Sequence, residues 1–359
     1  MRIFALLTDG LGAHGGIAQY NRDLLNALSA SDLVSDIVVL PRNAGTNFEP
    51  APKKVSQLRP RPGRISYSVE AVKAARAYGP FDVIFCGHCY QAPLAAAIGR
   101  WTGAPVWLQA YGIEAWDRPS ALTRASVERA SLVTAISRYT RRRLLEWADL
   151  PAENVRVLPI TVRPMFTPGP ADPKVPAKYG LTNQRFILTV SRIAKSEAYK
   201  GHDRVIEAMA RVLEAAPDAV YVIAGDGDGR AELEALVQRK GLDGAVRFLS
   251  RIPDDEVLAL YRSANAFVMA SSGEGFGIVF VEAAATGLPV IGGNSDGSLD
   301  ALADGVIGRA VDPLDVSQIA AALIATLENP RLDAAVRAQR FAFSNFSAHV
   351  DALLRTTFH

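Results

Sequence analysis

Apolar residues fall along this chain in short, nearly unbroken runs, separated by stretches in which they recur every three to four residues. That is the pattern of buried parallel strands alternating with helices. The runs at 2–8, 35–40, 82–86, 104–109, 131–136 and 154–158 predict strands, with a helix over 16–29 after the first. A second alternation follows: FILTVS, a helix over 202–215, AVYVIAG, a helix over 229–240, VRFLS, a helix over 254–263, AFVMAS, a loop, another helix and PVIGG. Each alternation reads as one Rossmann-like unit. Six prolines between Pro159 and Pro176 (159, 164, 168, 170, 173, 176) make a density that neither helix nor inner strand is expected to tolerate, which places the linker there. The expected fold class is α/β, two Rossmann-like domains facing a cleft. Residues 1–164 form the first domain and 165–334 the second, and a last helix over about 335–359 crosses back to brace the first. No long-period repeat links the halves.

A length of 359 residues, with 49% hydrophobic and 21% charged, suits two ordinary domain cores. The opening MRIFALLTDG lacks the length and flanks of a secretory signal. No apolar stretch approaches the roughly 20 residues of a membrane-spanning helix. The expected location is the cytoplasm, with any membrane contact peripheral, on the inner face of the cell membrane. Two cysteines do not make a disulfide framework. Residues 1–170 carry 20 Lys+Arg against 13 Asp+Glu, and the remainder 19 against 24, which is +7 and −5. Two readings stay open, a chance difference between solvated surfaces and a basic N-terminal domain that meets something anionic.

The most informative segment is SSGEGFGIVFVEAAATGLPVIGG, residues 271–293. Gly273, Gly275 and Gly277 follow a strand and precede the helix that carries Glu282, which aims free amides and a positive helix end at an anion. Glu274 precedes that helix, so the two carboxylates are expected at opposite ends of a ligand, accepting from sugar and ribose hydroxyls. The alternative is a glycine-rich turn with a capping Glu274 and a solvent-facing Glu282. SRIAKSEAYKGHDRVIEAM adds Arg192 just past a strand end and Lys200 at the entrance of the next helix. Two cations at one sheet edge suit a diphosphate leaving group, although surface exposure is the usual fate of such residues.

The string EGFGIVFVEAAATGLPV, a Glu, seven residues and a Glu, resembles the signature of the retaining GT-B glycosyltransferases of family 4 type (glycosyl transferases group 1). Within that family the chain resembles bacterial envelope and exopolysaccharide mannosyltransferases. The segments SRI…YKG, AGDGDG and GGIAQYNRDLLNAL extend the resemblance over nearly the whole chain. It implies that Arg192 and Lys200 bind the diphosphate, Glu274 a donor-sugar hydroxyl and Glu282 the ribose. The amides of Phe276, Gly277, Ile278 and Val279 would cradle phosphate and sugar. Gly15 and Gly16, between the first strand and a helix, would lie beside the diphosphate. The reaction implied is transfer of a hexose with retained configuration from a nucleotide diphosphate sugar to a glycan or polyprenyl-diphosphate-linked acceptor. It would proceed at the front face without a protein nucleophile, cofactor or essential metal, with closure about the linker drying the site. GGNSDGSLDAL, with Asn294, Ser295 and Asp296, leans the donor to GDP-mannose over a UDP-hexose, and the loop at Arg251 and Ile252 would choose the base.

This chain has Tyr111-Gly112 where many relatives carry His-Gly, so a backbone carbonyl is the expected sugar contact there. His88, after the preceding strand, is a candidate for the acceptor, or else a satisfied polar residue at a strand end. Cys86-Gly87-His88-Cys89 spells a dithiol motif, and a thioredoxin-like reading leaves the Glu274 to Glu282 segment without purpose. Asp226-Gly227-Asp228 spells a metal-binding Asp-x-Asp, but Arg192 and Lys200 already supply positive charge. A nucleotide-sugar epimerase and a non-catalytic sugar-nucleotide binder are the alternatives of function, and nucleic acid is not an expected partner. An anionic membrane surface is, on two basic clusters. Lys53, Lys54, Arg59, Arg61 and Arg64 lie in a Pro-rich loop, and Arg138 with Arg141 to Arg143 precede Leu144, Leu145 and Trp147 on a helix.

Overall fold

The computed structural model describes residues 1–45, 50–182, 184–329 and 333–358. It divides into two compact units, Met1–Thr161 with Phe343–His359, and Val162–Ala342. In the first, the strands are β1 (Arg2–Asp9), β2 (Asp36–Asn43), β3 (Val55–Gln57), β4 (Val83–Cys86), β5 (Val106–Ala110), β6 (Leu132–Ala135) and β7 (Val155–Val157). In the second they are β8 (Arg185–Val190), β9 (Ala219–Ala224), β10 (Val246–Leu249), β11 (Ala266–Met269), β12 (Val290–Gly293) and β13 (Arg309–Val311). Both sheets are parallel among the described residues, with orders β3-β2-β1-β4-β5-β6-β7 and β10-β9-β8-β11-β12-β13.

The apolar runs become strands because helices cover both faces of each sheet. Phe4, Ile84, Leu108 and Val133 are fully buried in the first unit, as Ile187, Ile223, Val268 and Ile291 are in the second. At roughly 25 cal/mol per Å² of apolar surface, such burial is the main term holding each unit. Each order reverses beside its first strand, between β1 and β4 and between β8 and β11. In parallel sheets ligands sit outside the carboxyl ends of the strands at such a point.

Three expectations change. The tail is two pieces. Helix Ala334–Ala338 belongs to the second unit and helix Phe343–Thr357 to the first. There Phe346 meets Tyr20 edge-on at 5.8 Å and Ser31 Oγ donates to Asp351 Oδ1 at 2.5 Å. The final position of the expected tail, 359, lies outside the described residues. The basic Pro-rich stretch is not simply a loop, because β3 pairs with β2 at the sheet edge, where prolines nearby cost no ladder bond. Helix Arg64–Tyr78 then starts beyond the last of them. The Pro-rich linker also holds a helical turn, Lys174–Lys178, since a proline in a first helical turn removes no intrahelical bond.

Candidate functional site

Both strands at the reversal in the second unit lead into the segments that stand out in the sequence. After β8, Lys195–Lys200 make a 3₁₀ turn that enters helix His202–Ala215. After β11, a glycine-rich loop ends at Gly277, the boundary residue of helix Ile278–Ala285. Gly277 has φ +83°, and a Cβ there would press on the buried Phe280 ring at 2.6 Å. Gly273 lets the loop lie on Tyr199, whose ring a Cβ would approach to 2.7 Å, and Ser272 N donates to Tyr199 O at 2.9 Å. The two segments are therefore one assembly.

Charge concentrates on it. Lys200 Nζ stands 3.3 Å from Glu274 Oε1 and 3.4 Å from Glu197 Oε2, with all three side chains mostly buried. Arg192 pairs with the same Glu197 but is 78% exposed. Burial, reinforced by Asp296 and Glu197, pushes the Glu274 carboxyl up against the opposing pull of Lys200. Glu274 Oε1 is buried and has an ion pair but no hydrogen bond, so it keeps capacity to accept from a hydroxyl. His202 Nε2 lies 2.8 Å from Ser191 Oγ, and burial, with Lys200 nearby, lowers this imidazole to about 4.

Asp296 fixes the loop. Its Oδ2 accepts from Glu274 N at 2.6 Å and Ser271 Oγ at 3.0 Å, and its Oδ1 accepts from Ser298 N at 2.8 Å. Its side chain is thus turned inward as a bracket, and of Asn294, Ser295 and Asp296 only the first two are exposed. Helix Ile278–Ala285 has no side-chain cap and no carboxylate in its first turn. Its positive end is unscreened, and the amides there have no intrahelical acceptor. Phe276 leaves only its backbone free to meet a ligand, since its ring is buried edge-on to Phe341 at 5.4 Å. Gly277, Ile278 and Val279 are partly exposed.

Glu282 is not solvent-facing. It is buried, and its Oε1 accepts from Arg163 Nε at 3.1 Å, with Arg163 Nη2 at 3.0 Å. Arg163 also pairs with Asp254 and stacks over Phe166 at 4.7 Å. The structure therefore gathers Arg192, Glu197, Lys200, Glu274 and Asp296 into one network and sets Glu282 in another. Arg251 belongs to neither. It is exposed beyond β10, which β9 and β8 separate from β11. Asp226 Oδ1 accepts from Gly227 N and Asp228 Oδ1 from Lys195 N, each at 2.8 Å, so both carboxylates of the Asp-x-Asp string cap turns.

In the first unit, Gly15 and Gly16 are exposed where helix Gly16–Ala30 begins after β1. His88, beyond β4, is buried. Its Nδ1 accepts from Tyr90 N at 3.3 Å, and the two rings lie 4.4 Å apart. Burial lowers the imidazole, opposed by Glu114 and Asp9, so the ring is neutral with its proton on Nε2. Tyr111 turns its ring inward, donating to Asn21 Oδ1 at 2.7 Å and meeting Tyr20 edge-on, while its amide donates to Glu114 Oε1 at 2.5 Å. Cys86 and Cys89 are both buried thiols; burial pushes Cys86 to about 12 and Cys89 up as well. That is inert cysteine, not a reactive dithiol. In the helix Arg138–Leu145, Leu144 is buried, as Trp147 is beyond it, so the apolar half of the second basic cluster packs inward.

Glu197, Arg163, Asp254 and Glu114 did not stand out in the sequence. Glu197 had one signal, its place between two singled-out cations. Arg163 had another, as the one arginine inside the proline-rich stretch.

Residues 172–341 match the family model for Glycosyl transferases group 1, and residues 15–161 match the Glycosyl transferase 4-like domain. The chain is a glycosyltransferase that carries a group 1 domain behind a 4-like domain. Over 228 residues it is 33% identical to the GDP-mannose-dependent alpha-(1-6)-phosphatidylinositol monomannoside mannosyltransferase of Mycolicibacterium smegmatis, covering 60% of this chain and 59% of that one. The protein of the same name from Mycobacterium tuberculosis is 28% identical over 342 residues, 90% of this chain and 88% of its own. Among solved structures, Anabaena Alr3699/HepE in complex with UDP superposes with a TM-score of 0.80 at 21% identity, covering 99% of this chain and 100% of that one. At that identity the likeness shows the fold, two parallel-sheet Rossmann-like halves of the GT-B type.

Proposed function

We propose that this glycosyltransferase moves a hexose, with retained anomeric configuration, from a nucleoside diphosphate sugar to a hydroxyl of a glycan or lipid-linked acceptor. The observation that carries this reading is the Lys200–Glu274 pair held beside an uncapped helix end. A diphosphate seated on the amides of Phe276 to Val279 would have Lys200 and Arg192 to take up the charge that develops as the bond from the sugar C1 to the diphosphate oxygen breaks. The acceptor oxygen then bonds to C1 on the same face, and its proton goes to the departing phosphate oxygen. Glu274 Oε1 orients the sugar by accepting from a hydroxyl, and Glu282 serves the ribose. Neither step asks for a protein nucleophile or a metal. His88, neutral at the carboxyl edge of the first sheet, serves the acceptor.

GDP-mannose is the first choice of donor because of the mannosyltransferases among the relatives, and a UDP-hexose is second because the superposed Anabaena protein holds UDP. The proposed location is the cytoplasm, with the lipid-linked acceptor met at the inner face of the membrane. A thermal-shift panel of GDP, UDP, ADP and their sugars tests the donor, because a ligand stabilises the folded chain by mass action. Stabilisation by GDP and GDP-mannose above the others is expected. Labelled sugar should then reach an acceptor with EDTA present. A labelled sugar that is isomerised without any acceptor, or bound and never transferred, would overturn the reading.

A further inference from the structure

Helix Arg64–Tyr78 is apolar on two faces. Tyr67, Ala71, Ala74 and Ala75 pack it on the sheet of the first unit, and Tyr67 OH donates to Leu40 O at 2.9 Å. On the opposite side Ile65 is 82% exposed, Val69 48% and Val72 46%. Their spacing of i, i+4 and i+7 makes one stripe along the helix. A single sheet can bury only one of these faces, so the outer stripe remains in water unless something covers it.

The charges around the stripe say what covers it. Residues 50–78 hold Lys53, Lys54, Arg59, Arg61, Arg64, Lys73 and Arg76 against one carboxylate, Glu70, which Arg61 engages at 3.2 Å. Arg64 opens the helix, and Lys73 and Arg76 lie on its outer side near the stripe. A second copy of this chain is a poor occupant, since a two-fold contact would bring two such cationic surfaces face to face. An apolar strip among Lys and Arg is the surface that lies in the headgroup region of an anionic bilayer, with the aliphatic stems buried and the charges at the phosphates.

We propose that the outer face of helix Arg64–Tyr78 is a docking surface for an anionic lipid bilayer, with Ile65, Val69 and Val72 entering the interface and Lys73 and Arg76 pairing with headgroups. This rests on the membrane-side acceptor of the proposed function for its purpose, but its physics needs no donor, acceptor or turnover. It also relocates the membrane contact from the helix Arg138–Leu145, whose Leu144 is buried.

The experiment is co-sedimentation of the full chain with vesicles of phosphatidylcholine alone and with about one third phosphatidylglycerol, at low and high salt, without any nucleotide. The protein should bind the anionic vesicles only, and salt should weaken binding. The double variant Ile65→Ser/Val69→Ser and the double variant Lys73→Glu/Arg76→Glu should each lose about tenfold or more in vesicle affinity with an unchanged melting temperature. Arg138→Glu should bind as the parent does. Equal binding of neutral vesicles, no loss in either double variant, or a dimer that the Ile65 and Val69 changes dissolve would overturn the proposal. Vesicle binding without sugar transfer would instead leave it standing and sink the transferase reading alone.

Discussion

Lys200 Nζ lies between two carboxylates, 3.3 Å from Glu274 Oε1 and 3.4 Å from Glu197 Oε2, and only 13% of its side chain is exposed. Arg192 shares Glu197 from a position that is 78% exposed. From the sequence the two cations look equivalent, each expected to act on a ligand with little effect on folding. Their surroundings separate them.

Lys200→Ala should lower turnover about 10² to 10³-fold and also destabilise the second unit by roughly 1 to 3 kcal/mol, because Glu274 and Glu197 lose their shared cation inside the protein. Arg192→Ala should lower nucleotide affinity and turnover while the melting temperature stays put. Thermal melts of both variants beside their donor-saturated rates check this. A Lys200→Ala protein as stable as the parent would contradict the placement.

His202 gives the fold a pH dependence of known sign. Its ordinary value is 6.5 and in the folded chain it is about 4, because burial, with Lys200 nearby, disfavours the imidazolium. Below pH 6.5 the unfolded chain takes up a proton that the folded chain refuses, so this contribution is present above 6.5 and is lost as pH falls toward 4. Its size is roughly 3 kcal/mol at most. His202→Gln can still bond Ser191 but cannot titrate, so its stability should fall less steeply across that window. Denaturant unfolding at several pH values would show parallel slopes if the idea is wrong.

The strands were legible because buried parallel strands write themselves as Val, Ile and Leu runs, and β8, β9 and β11 lie where the runs are. β3 was not, since a three-residue edge strand beside prolines has no periodicity to detect. The glycine loop and its carboxylates were legible through Gly273, Gly277, Glu274 and Glu282. Their partners were not, because ion pairs are set by tertiary approach: Glu282 meets Arg163 across 119 positions of sequence. The structural part that Asp296 plays was not legible either. Its string leans the donor, and nothing in it shows that the Asp296 oxygens hold the backbone at Glu274 and Ser298. Leu144 and Trp147 could have faced lipid or core, and only packing decides such a pair.

The dithiol string supplies a clean negative test. Cys86 Sγ donates to His88 O at 3.3 Å, and burial holds its thiol near 12, far from a thiolate at neutral pH. A thiol reagent such as DTNB should label neither Cys86 nor Cys89 in the native chain and both after denaturation. Cys86→Ser should keep sugar transfer within about twofold, since the hydroxyl is smaller and can also donate. Rapid native labelling together with loss of transfer would revive the redox reading.

Arg163 and Glu282 make the last prediction. The guanidinium reaches Glu282 Oε1 through Nε at 3.1 Å and Nη2 at 3.0 Å, and it also holds Asp254. A buried carboxylate so gripped keeps its orientation, which makes Arg163 a positioning residue for whatever Glu282 binds. If that ligand is the ribose, Glu282→Ala should weaken the plain nucleoside diphosphate about 10-fold or more, and a dideoxy analogue lacking both ribose hydroxyls should feel little of it. Glu274→Ala should spare nucleotide affinity and depress turnover instead. Arg163→Met should reproduce the Glu282→Ala loss in part, and the double variant should fall short of the sum, with a coupling of about 1 kcal/mol or more. Calorimetric titration of the four proteins with both nucleotides decides it. Additive losses, or equal losses for the ribo and dideoxy nucleotides, would separate Arg163 from Glu282 or Glu282 from the ribose.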